Sequence, residues 1–201
     1  ITPIVLFDIV NYLAEHQDLK NLGILLMFVS GIRIGELIAL KHCDFTNGNT
    51  VQIRRTISTS VNDKGKICRM VKDSPKTYAG IRNVIIPDEF SWLVDYFADG
   101  KPEEYIFITK RGNFMKYDSI NLRLESICKQ LDIPFRTTHK IRKTYGSILL
   151  DNGVNTRLVM EQMGHSDISC TENFYHKDRA DEEGKKEVID NLADAYKKKM
   201  G

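Results

Sequence analysis

Between residues 50 and 87 the apolar period of this chain shifts from the helical value of about 3.6 to 2 and then back, so any fold must embed a small sheet in a largely helical body. The run VQIRRTIST alternates, KICRMVKD carries β-branched residues between turn signals, and GIRNVIIP is again β-rich, with DKG and YAG separating the three. Together they predict a three-stranded antiparallel sheet. On the N-terminal side, Thr2 and Pro3 read as a cap and a first helical position, followed by Ile4, Phe7, Ile9, Val10 and Leu13 at helical spacing. A second helix is predicted from Asp18 to Ser30, broken by Gly31, and IRIGELIALK resumes helical character beyond it. Past Pro87, helices are predicted at 88–99, 118–131, 138–151, 155–163, 168–177 and 182–199, with YIFIT at 105–109 as a short extended piece. The fold class is α+β, mainly α-helical, and with no repeat and no Pro/Gly/Ser linker, residues 1–201 read as one domain.

Composition works mainly by exclusion. With 201 residues and 42% hydrophobic content the chain can build a real core. Its 29 basic residues nearly match 27 acidic ones, so the net charge of +2 does not announce a nucleic-acid binder; only a segregated distribution could make a basic face. Four separated cysteines (Cys43, Cys68, Cys128, Cys170) form no CxxC pair and the five histidines no HExxH, which argues against a zinc site or a disulfide framework and for a reducing cytoplasm. The longest apolar run, LGILLMFVSGI at 22–32, is shorter than the roughly 18 residues of a membrane span and reads as a buried helix. No signal segment precedes it. A start at Ile1 in place of methionine reads as a chain cut from a longer protein, or processed, with any N-terminal module expected to be missing.

Four patches carry chemistry. In GIRIGELIAL, Arg33 follows a glycine break at the start of a new helix, and Glu36 lies three residues on, on the same face, where it could simply pair with the arginine. In SPKTYAGIRNVIIP, Lys76 falls at the tip of the predicted hairpin, either as a solubilising charge or as a cation and proton donor. In TTHKIRKTYG, His139 and Arg142 share a helix face, and Thr137 or Thr138 is an apt cap; guanidinium, imidazole and free helix-start amides would then converge on an anion. In GHSDISCTENFYH, Gly164 ends a helix, His165 opens the next connection, and Tyr175 follows ten positions later. Two arginines, a lysine, two histidines and a tyrosine suffice for metal-free attack on a phosphodiester. Cations neutralise the non-bridging oxygens, a phenol of pKa about 10 needs a base or cationic surround, and the leaving 5′-oxygen needs a proton.

In their order, these motifs resemble the catalytic domain of a tyrosine recombinase of the phage- and transposon-integrase type. The matching residues are Arg33 with Asp44 after its helix, Lys76 in PKT, His139 and Arg142 in HKIR, His165 after MG, and Tyr175 in TENFYH, spanning 31–176. The resemblance implies attack by Tyr175 on a phosphate of double-stranded DNA, giving a 3′-phosphotyrosyl link and a free 5′-hydroxyl, without cofactor, ATP or metal. It further implies site-specific recombination that integrates and excises a mobile element of a bacterium or phage. The partners it implies are a homotetramer on two DNA sites, assembled from a monomer when free, and an accessory directionality factor. Some members place the nucleophile nine residues after the histidine, at Phe174 here; others use ten with an apolar residue just before, the slot Phe174 fits, so Tyr175 is the expected nucleophile. The amphipathic segment EVIDNLADAYKKK, within 182–199, either packs on its own domain or docks on a neighbouring subunit as the resemblance implies. Rival readings are a type IB topoisomerase and a non-catalytic DNA-binding protein in which Arg33, Lys76 and Arg142 only hold phosphates.

Overall fold

The apolar run that begins at Leu22 forms the centre of the molecule. In the computed structural model, which describes residues 3–46, 48–61, 65, 67–72 and 81–164, helix α2 (Leu19–Ser30) has every residue from Asn21 to Ser30 buried. Its ends are fixed locally. The Asp18 carboxylate accepts from the Lys20 and Asn21 amides at 2.9 Å, and Gly31 takes the left-handed conformation (φ 64°) that closes the helix. Around α2 pack α1 (Pro3–Glu15), α3 (Ile34–Ile38), α5 (Tyr117–Gln130) and α6 (Thr138–Asp151). Close approach needs small residues: a Cβ on Gly23 would lie 2.6 Å from the Phe107 ring, and one on Gly31 2.3 Å from that of Tyr145. Helix α4 (Ser91–Ala98), entered through a 3-10 turn at Asp88–Phe90, seats Phe97 between Phe45 and Phe107 at ring distances of 5.2 and 5.8 Å. Helix α7 (Thr156–Met163), capped by Asn155 and ended by Gly164 (φ 64°), packs on α6.

Helix limits follow the sequence expectation closely for α2, α5, α6 and α7, while the run after Gly31 gives only the five residues of α3. Beyond it, Lys41 bridges to Tyr105 and Ile108 to Phe114, but the chain bends at residues 106 and 107 between these two isolated bridges, so the piece expected to be extended at 105–109 is not a strand. Helices expected at 168–177 and 182–199, and the Thr2 cap, lie outside the described residues.

A three-stranded antiparallel sheet is present, but its strands are not the expected three. β1 (Phe45–Thr46), β2 (Thr50–Ile53) and β5 (Arg82–Ile85) form it in the order β1-β2-β5, with Val51 opposite Val84. β3 (Thr56–Val61) and β4 (Ile67–Lys72) form a separate two-stranded sheet. The expected single strand VQIRRTIST breaks at Arg54 and Arg55 because a straight continuation would aim Arg55 into the core beside Val51, Ile53 and Ile57. Instead its guanidinium reaches the buried carboxylate of Asp44, and the chain bends. The strands flanking Lys76 therefore belong to different sheets and do not form a hairpin with Lys76 at its tip. Among the described residues, no helix is long and apolar enough to cross a membrane.

Candidate active site

Glu36 lies where α3, β5 and α7 meet, 5% exposed, with arginines on two sides. Its backbone position on the first turn of α3 lets one carboxylate oxygen accept from the Arg33 amide at 2.8 Å, half of a capping box. Arg33 Nη1 donates to Oε1 at 2.8 Å, and Arg82 closes the other side with a two-point fork, Nη1 to Oε1 at 3.0 Å and Nη2 to Oε2 at 2.9 Å. Burial alone would raise this carboxyl, but the hydrogen bonds and charge of Arg82, followed by the charge of Arg33, bring it down to about 2.

The same arginines converge on the C-terminal end of α7. Arg82 Nε donates to the Gln162 carbonyl at 2.8 Å, Arg142 Nη2 to that of Met163, and Arg33 Nη2 to that of Gly164 at 3.0 Å. Arg33 Nη1 also points at the Met163 oxygen, at 3.5 Å. The last carbonyls of a helix lack partners within it and carry partial negative charge, so guanidiniums at this place satisfy both deficits. Arg142 also donates from Nη1 to the Gly31 carbonyl, tying the end of α2 to the end of α7. Burial, and then the positive charge of Arg33, push Arg142 down to about 9; it stays a cation at neutral pH.

Of the expected site residues, Arg33 and Arg142 are thus brought onto one carbonyl from distant parts of the chain. His139 sits on the first turn of α6, one turn before Arg142, and is exposed; burial of part of the ring, then Lys143 and Arg142, lower its pKa. The cap of α6 is Thr137, whose hydroxyl accepts from the Lys140 amide. The free amides expected there are partly spoken for, since the Thr138 amide donates to Asn121 Oδ1. Arg142 is directed inward, not toward that helix start. Lys76, His165 and Tyr175 lie outside the described residues. Asp44 is buried and pairs with Arg55, away from the Glu36 cluster.

Sequence reasoning gave no role to Arg82 or Gln162. Arg82 alternates with the buried Val84 and Ile86, so its side chain shares their inward face, and a buried cation demands a carboxylate; that signal was readable. Gln162, whose Oε1 accepts from the Ile85 amide at 3.1 Å, carries no comparable mark in its local sequence.

A mainly helical body with a flanking sheet and this ordered set of cationic residues has the fold of tyrosine recombinase catalytic domains. The chain belongs to the phage integrase family, whose pattern matches residues 5–181. A tyrosine recombinase XerC-like protein of Caldanaerobacter subterraneus subsp. tengcongensis is 31% identical over 75% of this chain and 44% of its own length. The integrase of Staphylococcus phage L54a is likewise 31% identical, over 73% of this chain and 44% of its own length. The chain therefore spans less than half the length of these two relatives. Among solved structures, the Tn1549 transposon integrase in complex with transposon right end DNA superposes with a TM-score of 0.75 at 21% identity, covering 96% of this chain and 65% of that one. XerA recombinase gives 0.67 at 19% identity, covering 96% and 64%.

Proposed function

We propose that this chain is the catalytic domain of a site-specific recombinase that cleaves and rejoins double-stranded DNA through a 3′-phosphotyrosine, in the service of a mobile element. The observation that carries the reading is the meeting of Arg33 and Arg142 at the Met163 carbonyl, two residues before His165 in the sequence. Three guanidiniums crowd one carboxylate there, leaving positive charge for an anionic ligand. Arg33, with 44% of its side chain exposed, is the one able to meet a phosphate at the surface.

Tyr175 Oη forms a bond to phosphorus while the bond from phosphorus to the 5′-oxygen breaks. The phenolic proton passes to His139, and Lys76 protonates the leaving oxygen. Reversal with the 5′-hydroxyl of a partner duplex reseals the backbone, so no phosphate-ester energy is lost and no water is consumed. Strand exchange takes place in a homotetramer on two DNA sites, on the DNA of a bacterial cytoplasm, with an accessory factor setting direction. Relatives named integrase and transposase support the mobile-element role.

The test is a nicked duplex carrying the repeated sequence that flanks the encoding gene, incubated with the full protein and resolved under denaturing conditions. A covalent protein–DNA adduct is expected, and it disappears in Tyr175→Phe. An adduct that survives the substitution moves the nucleophile elsewhere, and salt-sensitive binding with no adduct at all makes the protein a non-catalytic binder.

A further inference from the structure

We infer that Arg82 is a positioning residue for DNA cleavage: through Glu36 it sets the direction of the Arg33 guanidinium, and through the Gln162 carbonyl it fixes the end of α7. The inference rests on the cleavage reading above. Arg82 is itself out of reach of a surface substrate, with only 6% of its side chain exposed. Three of its five donors are spent inward, two on the Glu36 oxygens and one on the Gln162 carbonyl. Its guanidinium also lies flat against Gly164, where an added Cβ would come within 2.7 Å of Nη1. Glycine at this position therefore serves the contact as well as the helix end.

The consequence falls on Arg33. Glu36 could accept a full fork from Arg33, which would draw that guanidinium inward and leave little of it for a phosphate. Because Arg82 occupies both oxygens from the opposite side, Arg33 is held through Nη1 and its own amide, while Nη2 is turned toward the α7 end at Gly164. Arg82 thus decides where the exposed cation points. It acts from β5, so the strand that follows the Lys76 connection, the α3 arginine and the α7 terminus are locked to one carboxylate.

The experiment measures single-turnover adduct formation on the nicked duplex at saturating protein, with DNA affinity measured separately by fluorescence anisotropy. Arg82→Gln is expected to lower the cleavage rate about 10²-fold, the scale of a small misplacement of a reacting group, while leaving DNA affinity unchanged. Adding Glu36→Gln to it is expected to restore at least about tenfold, because the carboxylate that would capture Arg33 is gone. Arg82→Lys keeps a buried cation, so it covers the case in which Arg82→Gln does not fold. It is also expected to cleave slowly, since an ammonium cannot span both oxygens and the Gln162 carbonyl. Wild-type rates in Arg82→Gln or Arg82→Lys, or a parallel loss of affinity and rate without recovery in the double variant, would overturn the assignment. If wild-type protein forms no adduct, the cleavage reading itself fails. An adduct in wild type with no defect in the Arg82 variants removes Arg82 alone.

Discussion

His139 and Arg142 sit one turn apart on α6 yet live in different surroundings, one at the surface and the other 5% exposed. Burial makes Arg142 costly to keep charged, and its two carbonyl partners offset that cost only in part, as its descent to about 9 records. The imidazole next to it feels the same crowd of cations. Partial burial, Lys143 and Arg142 all disfavour the imidazolium, so the His139 pKa lies below its ordinary 6.5 and the ring is neutral at pH 7. In the cleavage mechanism proposed above, a neutral ring can take the phenolic proton and a protonated one cannot. Cleavage measured as kcat/KM, which reports the free enzyme, is therefore expected to be level around pH 7 and to fall as pH drops through a value under 6.5. His139→Gln should lower the plateau about 10²- to 10⁴-fold and abolish that acid limb. An acid limb unchanged in the variant would assign the titration to another group.

At the scale of elements, what could be read in advance was what is decided locally. Asp18, Gly31, Thr137 and Gly164 mark helix ends through bonds made within a few residues, and all four stand where the sequence places them. Strand pairing was not legible, because Arg55 leaves the strand line for Asp44, eleven residues earlier, and β1 is only two residues long. Gly31 shows how a local signal can hide a tertiary duty. Both Gly31 (φ 64°) and Gly153 (φ 74°) are left-handed, but an added Cβ at Gly153 meets nothing within 4 Å, while at Gly31 it strikes the Tyr145 ring at 2.3 Å. Gly153→Ala should thus cost about 1 kcal/mol of backbone strain, whereas Gly31→Ala adds overpacking of about 1–3 kcal/mol. Urea unfolding midpoints of the two variants compare the terms directly. Equal losses would mean that Tyr145 yields freely and that the α2–α6 contact is looser than described.

Across the whole molecule, a net charge of +2 conceals a segregated cluster in which Arg33 from the start of α3, Arg82 from β5 and Arg142 from α6 gather about Glu36 and the end of α7. The order of motifs made the two end arginines legible as a pair, but not what anchors them, because Glu36 looked like an ordinary surface partner one turn along a helix. In the folded chain that carboxylate is a structural keystone with a pH signature. Its pKa is about 2 when folded and 4.5 ordinarily, so the folded state is favoured while Glu36 is ionised. The contribution is complete above the ordinary value and is lost as pH falls from about 4.5 toward about 2; the shift corresponds to roughly 3 kcal/mol, since each unit is about 1.4 kcal/mol. A glutamine at position 36 cannot titrate, and it leaves Arg82 buried without a counter-charge, a loss of about 3–5 kcal/mol near neutral pH. Denaturant unfolding of wild type and Glu36→Gln, repeated from pH 7 down to pH 2, should therefore show a stability gap that is constant above pH 5 and narrows steadily below it. A gap of the same size throughout that acid range would mean that Glu36 does not hold the arginines together as an anion, and that their convergence has some other cause.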